Sequence, residues 1–129
     1  MDQELFAAAM SARQNAYAPY SKFAVGAAVR AIDGTVFTGC NIENASYGLS
    51  ICAERVAIFT AISRGYFQLE VLCVVADTAE PLAPCGACRQ VMLEFHIKEV
   101  WLMNCAGAYR KMKMTELLPV GFGPEVLEK

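Results

Sequence analysis

The 129 residues carry 13 acidic and 11 basic side chains, so the formal net charge is only −2, and 56% of the chain is hydrophobic against 19% charged. That length predicts one domain over 1–129 with a core of its own. The weak acidic balance excludes the broad positive footprint of a nucleic-acid binder, and no apolar run reaches the roughly 18–20 residues a membrane span needs.

So large an apolar share in a chain with few charges predicts that further copies cover part of the surface. The start, Met1-Asp2-Gln3-Glu4, is polar and unlike a secretory leader. Six cysteines would suit a disulfide scaffold in a small secreted chain, but here they accompany a full hydrophobic core and metal-ligand spacing. Thiols kept for a metal belong in a reducing compartment, so a cytoplasmic protein is expected. Cys40, Cys73 and Cys105 lie in apolar, strand-like stretches and read as small buried hydrophobes.

Along the chain, Asp2 to Ala16 carries Leu5, Ala8, Ala9 and Ala12 at helical spacing. Tyr17-Ala18-Pro19-Tyr20-Ser21 ends it, because proline lacks a donor and disfavours helix in the residue before it. Phe23 to Arg30 and Thr35 to Asn41 read as two strands joined at Asp33-Gly34, a tight-turn pair able to take positive φ at both positions. Ile42 to Ser50 is a polar loop. Cys52 to Arg64 has a helical pattern that Gly65 stops. Leu69 to Ala76 is a nearly continuous apolar run, the signature of a strand buried on both faces.

After a loop over 77–84, Cys85 to about Phe95 predicts a second short helix, Glu99 to Cys105 a strand, and Tyr109 to Met114 a last strand. Thr115 is placed as the cap of a helical turn through Leu118. The order implies a mixed sheet with helices packed on it.

Chemistry concentrates in Cys52-Ala53-Glu54 and Pro84-Cys85-Gly86-Ala87-Cys88. Three thiols and a carboxyl suit a zinc ion with three protein ligands and an open position, the catalytic pattern, where a structural zinc takes four protein ligands. Cys52 and Cys85 fall at the starts of helices, where free N–H groups and the helix dipole favour the thiolate that binds zinc. Cys85 and Cys88, three apart on one helix face, can clasp the same ion. A CxxC redox pair is the alternative, though it leaves Cys52 and Glu54 idle.

Three thiolates outweigh the two charges of the ion, and Arg55 is the candidate to offset the surplus by donating to sulfur. Glu54, placed near the metal, can take a proton from water and deliver it to substrate. The only histidine, His96, has no partner ligands beside it and is left out of the site. Tyr17, Tyr20, Phe37 and Phe59 read as core or interface aromatics. The arrangement corresponds to the zinc-deaminase pattern of a ligand and glutamate followed by Pro-Cys-x-x-Cys, in its all-cysteine form.

Four separated stretches then resemble the short, homotetrameric, three-cysteine cytidine deaminases. They are Ser21-Lys22-Phe23-Ala24-Val25-Gly26-Ala27-Ala28, Gly39-Cys40-Asn41-Ile42-Glu43-Asn44-Ala45-Ser46-Tyr47, Cys52-Ala53-Glu54-Arg55, and Pro84-Cys85-Gly86-Ala87-Cys88-Arg89-Gln90, with Leu117-Leu118-Pro119 and Phe122 beyond.

The resemblance implies an α/β fold, a three-layer α-β-α sandwich around a mixed five-stranded sheet. It implies one zinc per chain on Cys52, Cys85 and Cys88, Glu54 as proton carrier, and hydrolysis of cytidine and deoxycytidine to uridine and deoxyuridine with release of ammonia, a pyrimidine-salvage reaction. Asn41 and Glu43 would grip the ribose hydroxyls and Phe23 would line the base pocket. Backbone groups near Ala53 and Pro84 would read the base edge. Tyr47 and Phe122 would reach a neighbouring subunit's site in a homotetramer. Val56 and Ala83 stand where threonine and serine are more usual in that family.

Two other readings are compatible with these residues. One is a deaminase of aminoglycosyl-nucleoside antibiotics, nucleotides or RNA; Glu43 disfavours a nearby phosphate and the charge balance disfavours RNA. The other is a zinc-stabilised binding module, which needs a fourth protein ligand such as Cys105 or His96.

Overall fold

A computed structural model of the chain describes residues 2–127. Helix α1 spans Gln3–Arg13, strands β1 and β2 span Val25–Ala31 and Val36–Cys40, and helix α2 spans Ala53–Ser63. Strand β3 covers Leu69–Ala76, α3 Gly86–Glu94, β4 Glu99–Asn104, β5 Tyr109–Lys113, and α4 Met114–Leu117. The strand order is β2-β1-β3-β4-β5. Only β3 and β4 run parallel, with α3 as their crossover; the other pairs are antiparallel.

Helices cover both faces, as the three-layer reading expects. Leu5 and Ala9 of α1 pack with Ala28, Cys73, Val75, Trp101 and Met103 on one face. Ala57, Ile58 and Met92 of α2 and α3 pack with Ala27, Val29, Leu72, Val74, Val100 and Leu102 on the other. Side chains alternate along β3, so Val71, Cys73 and Val75 face one core and Leu72 and Val74 the other, which is why the run is apolar apart from exposed Glu70. Two glycines let the layers close. A Cβ on Gly26 would stand 2.0 Å from the Ala9 carbonyl oxygen of α1, and one on Gly39 would stand 2.4 Å from the Ala57 nitrogen of α2.

Asp2 caps α1, its carboxylate accepting from the Leu5 N–H at 3.1 Å while pairing with Arg30 of β1. The helix stops at Arg13, earlier than its alanine-rich pattern suggests, because the Asn15 and Ala16 N–H groups reach back only three residues. The hairpin differs from expectation. Gly34 has φ +96°, whereas Asp33 is not among the positive-φ residues, and Ala31 N–H bonds Thr35 O. This is a three-residue loop with glycine in the left-handed position, in which Asp33 accepts from the Thr35 N–H.

Helices α2 and α3 end alike. Gly65 N–H bonds Ile62 O and Tyr66 N–H bonds Ala61 O; His96 N–H bonds Leu93 O and Ile97 N–H bonds Met92 O. His96 takes the glycine-like role at φ +66°. Thr115 is not a cap: α4 starts one residue before it, and the Glu116 carboxylate accepts from the Lys113 N–H. Edge strand β5 carries Lys111 and Lys113 on one face and exposed Arg110 on the other, charges that discourage edge-to-edge pairing. No described helix is long and apolar enough to cross a membrane.

Candidate active site

Strands β2 and β3 leave the sheet at the same end, and each feeds, through a loop, the start of a helix. Cys52 is the N-cap of α2 and Cys85 the N-cap of α3. The two helix starts meet, so the three sulfurs of Cys52, Cys85 and Cys88 lie within 4.8 Å of one another. Cys52 Sγ to Cys85 Sγ is 3.8 Å, and Cys85 Sγ to Cys88 Sγ is 3.4 Å. A tetrahedral zinc at about 2.3 Å from each sulfur requires sulfurs about 3.8 Å apart. The triangle therefore fits the ion, and its soft donors suit zinc over harder cations. Among the described residues no fourth histidine, cysteine or carboxylate joins the cluster. His96 caps the far end of α3, and Cys105 lies in the turn after β4 rather than in a strand. A closed four-ligand site is thus not built from these residues.

Electrostatics around the sulfurs point the same way. Hydrogen bonding from Cys88, aided by Arg55, pulls the Cys52 thiol down to about 5, while the bond Cys88 gives Cys52, together with burial, pushes Cys88 up. Without a cation the three thiols resist ionising together; a divalent ion displaces their protons. Arg55 Nη2 donates to Cys52 Sγ at 3.5 Å, and its buried Nε has no protein partner.

Glu54, in the first turn of α2, is 5% exposed. Burial raises its carboxyl to about 7, with the Cys52 charge adding to the effect. A group poised there can both accept and donate a proton near neutral pH.

A cavity of about 400 Å³ opens beside these groups. Phe23, Asn41, Glu43, Cys52, Ala53, Glu54 and Cys85 line it, so the residues expected around substrate come together. Asn41 does more than expected of it. Its amide nitrogen donates to Phe23 O and its amide oxygen accepts from Val25 N–H, both at 2.8 Å, stitching β2 to the approach of β1. Glu43 accepts from the Tyr20 and Ser21 N–H groups and from the Ser21 hydroxyl, and the Ser21 bonds hold its carboxyl below the usual range. The Pro84 carbonyl accepts from Arg89 Nε at 2.9 Å, and Arg89 Nη1 donates to Leu117 O.

Tyr47 and Phe122 do not line this cavity. They are 73% and 59% exposed; Tyr47 packs beside Tyr20 with ring centroids 5.7 Å apart. Tyr17, Tyr20 and Phe59 are exposed as well, and only Phe37 joins the core. Cys73 is buried, Cys40 and Cys105 half-buried, and all six cysteines are free thiols. Val74, Ala76, Leu82 and Met103 form a further wall of the cavity that residue spacing does not reveal. The strand-end positions of Val74, Ala76 and Met103 were the available signal, since ligands of open sheets bind at strand carboxyl ends.

Residues 1–104 match the family described as the cytidine and deoxycytidylate deaminase zinc-binding region. A cytidine deaminase of Sporosarcina psychrophila is 49% identical over 97% of this chain and 93% of its own length. One from Halalkalibacterium halodurans is 50% identical over 95% of each. The crystal structure of cytidine deaminase from Burkholderia pseudomallei superimposes with a TM-score of 0.90 at 51% identity, covering 95% of this chain and 99% of that one. Sequence, fold and sulfur triangle agree, and the chain belongs to the zinc-dependent cytidine deaminase family.

Proposed function

We propose that this chain hydrolyses cytidine and deoxycytidine to uridine and deoxyuridine, releasing ammonia, with one zinc held by Cys52, Cys85 and Cys88. The observation that carries the reading is a three-sulfur triangle with an open side, next to buried Glu54, on the wall of a nucleoside-sized cavity. Zinc, when bound, supplies Lewis acidity that makes water a nucleophile near neutral pH.

The chain's own residues do the rest. Glu54 takes one proton from the attacking water and gives it to the pyrimidine ring nitrogen. It then takes the remaining proton of that oxygen, now a hydroxyl on ring carbon 4, and delivers it to the amine, so that the carbon–nitrogen bond breaks, ammonia leaves and the carbonyl forms. Burial keeps its proton affinity close to the working pH, so both transfers are within its range. Arg55 offsets the negative charge of the thiolates through Cys52. Phe23 and the Ala53 backbone shape the base pocket, and the free capacity of Asn41 and Glu43 grips the sugar.

Tyr47 and Phe122, exposed aromatics outside the cavity, complete the sites of neighbouring subunits in a homotetramer. The whole chain, 1–129, acts as one catalytic domain. A reducing cytoplasm, where pyrimidine salvage takes place, suits its six free thiols.

Loss of cytidine absorbance by zinc-loaded protein tests the reading, with Glu54→Gln as control. Rapid loss with wild type, and none with a variant that still holds zinc, is expected. No loss with wild type carrying one zinc per chain would overturn it.

A further inference from the structure

The sugar side of the cavity contains a hydroxyl that the proposed reaction does not use. Ser21 Oγ donates to Glu43 Oε2 and accepts from the Phe23 N–H at 3.0 Å. Glu43 Oε1 already accepts from the Tyr20 N–H at 3.0 Å and the Ser21 N–H at 3.1 Å. A carboxylate offers about four acceptor positions. Three are filled, which leaves one on Oε2. Asn41, with one N–H and one lone pair committed to the backbone, retains one donor and one acceptor. The sugar corner therefore presents one donor and two acceptors, a set suited to a pair of vicinal hydroxyls.

We propose that Ser21 is a positioning residue for sugar recognition, acting through Glu43: its hydroxyl fixes the one free acceptor of that carboxylate. This rests on the reading of Asn41 and Glu43 as the sugar-binding pair. The backbone around Ser21 is built for the task. Lys22 holds φ +60°, a left-handed conformation uncommon for a side chain of its kind, and its N–H closes on Ala18 O at 3.0 Å. That turn aims two successive N–H groups and one hydroxyl at a single carboxylate. A glutamate on an exposed loop otherwise explores many rotamers, and freezing it beforehand lowers the cost of binding. Phe23 depends less on Ser21, because Asn41 also holds its carbonyl and the next strand residue but one. Losing the hydroxyl therefore weakens sugar recognition and leaves the base pocket in place.

Ser21→Ala is expected to raise KM for cytidine about tenfold, the scale of one hydrogen bond to a charged group, with kcat within about twofold of wild type. Affinity for 2′,3′-dideoxycytidine, read as a substrate or as a competitive inhibitor, should change less than about twofold. Ser21→Thr should restore most of the loss, and Ser21→Ala should add nothing in a Glu43→Ala background. Should Ser21→Ala lose the fold, Ser21→Cys keeps the side-chain volume, loses most of the bond, and carries the same readouts. Equal losses on both ligands, a fall in kcat at constant KM, or a further loss beyond Glu43→Ala would overturn the inference. If Glu43→Ala itself is blind to the sugar hydroxyls, the sugar-pair reading fails with it. If Glu43→Ala is sensitive and Ser21→Ala is not, the Ser21 inference alone fails.

Discussion

The two ends of the cavity are built by different means. At the metal end, short side chains project from the first turns of α2 and α3, and those helices are seated in the core through Ala57, Ile58 and Met92. The sulfur positions are therefore set by helix packing, with glycine at position 39 allowing β2 to touch α2 backbone to backbone. At the end proposed to take the sugar, Asn41 and Glu43 sit on a polar loop with little hydrophobic anchorage, and hydrogen bonds to residues 20–25 hold them. One end takes its geometry from buried apolar surface, the other from a local polar network. Damage to the first should be all-or-none, and damage to the second should be graded.

The largest effect is expected at the metal end. Cys88→Ser should abolish zinc retention after dialysis, measured by elemental analysis, with activity falling in proportion; a variant that keeps one zinc per chain would break the argument that three sulfurs are needed. Arg55→Ala comes next. It should lower activity or zinc affinity about 10- to 100-fold while leaving the fold intact by circular dichroism, and an unchanged rate with unchanged metal would remove its charge-offsetting role.

At the sugar end, Asn41→Ala deletes two part-buried bonds to backbone, each contributing about 1 kcal/mol. It should raise KM and also lower stability by about 2 kcal/mol in urea, a dual loss that a residue touching substrate alone would not give. The smallest effect lies at the far end of the sheet. Asp2→Asn keeps a capping side chain but loses the ion pair with Arg30, a change of less than about 1 kcal/mol. The bond from Arg30 holds the Asp2 carboxyl below its ordinary 3.8. The stability gap between wild type and variant is therefore fully present above pH 3.8, and it closes as pH falls through the lowered folded value. A gap that persisted in strong acid would show that packing, not charge, is involved.

The metal end was legible in the sequence because its information is local. Cys52, Glu54 and Arg55 share one helix turn, Cys85 and Cys88 another, and the two helical patterns that carry them are strong. The run Leu69–Ala76 was equally clear, since a strand facing two cores has to be apolar on both sides. The sugar end was less so. The dual use of Asn41 depends on β1 lying beside β2 at the site end, and the bonds to Glu43 depend on the left-handed turn at Lys22; neither follows from residue spacing. Thr115 failed as a cap because the helix already begins at Met114, with Lys113 in the cap position, so Thr115 lies inside the first turn. Asp33 failed as a positive-φ residue because the hairpin loop closed one residue longer, leaving that conformation to Gly34 alone.

The sulfur triangle has a consequence for the handling of the protein. Cys85 is exposed and its sulfur is 3.8 Å from that of Cys52, whose thiol is already acidic. Thiolate character and access are the two conditions for oxidation. A metal-stripped chain thus presents a neighbouring pair ready to surrender two electrons to dissolved oxidants, and a ligand pair lost as a disulfide cannot take zinc back until it is reduced. The metal is in this sense its own site's antioxidant, and preparations depleted of it should age faster in air than the loaded protein.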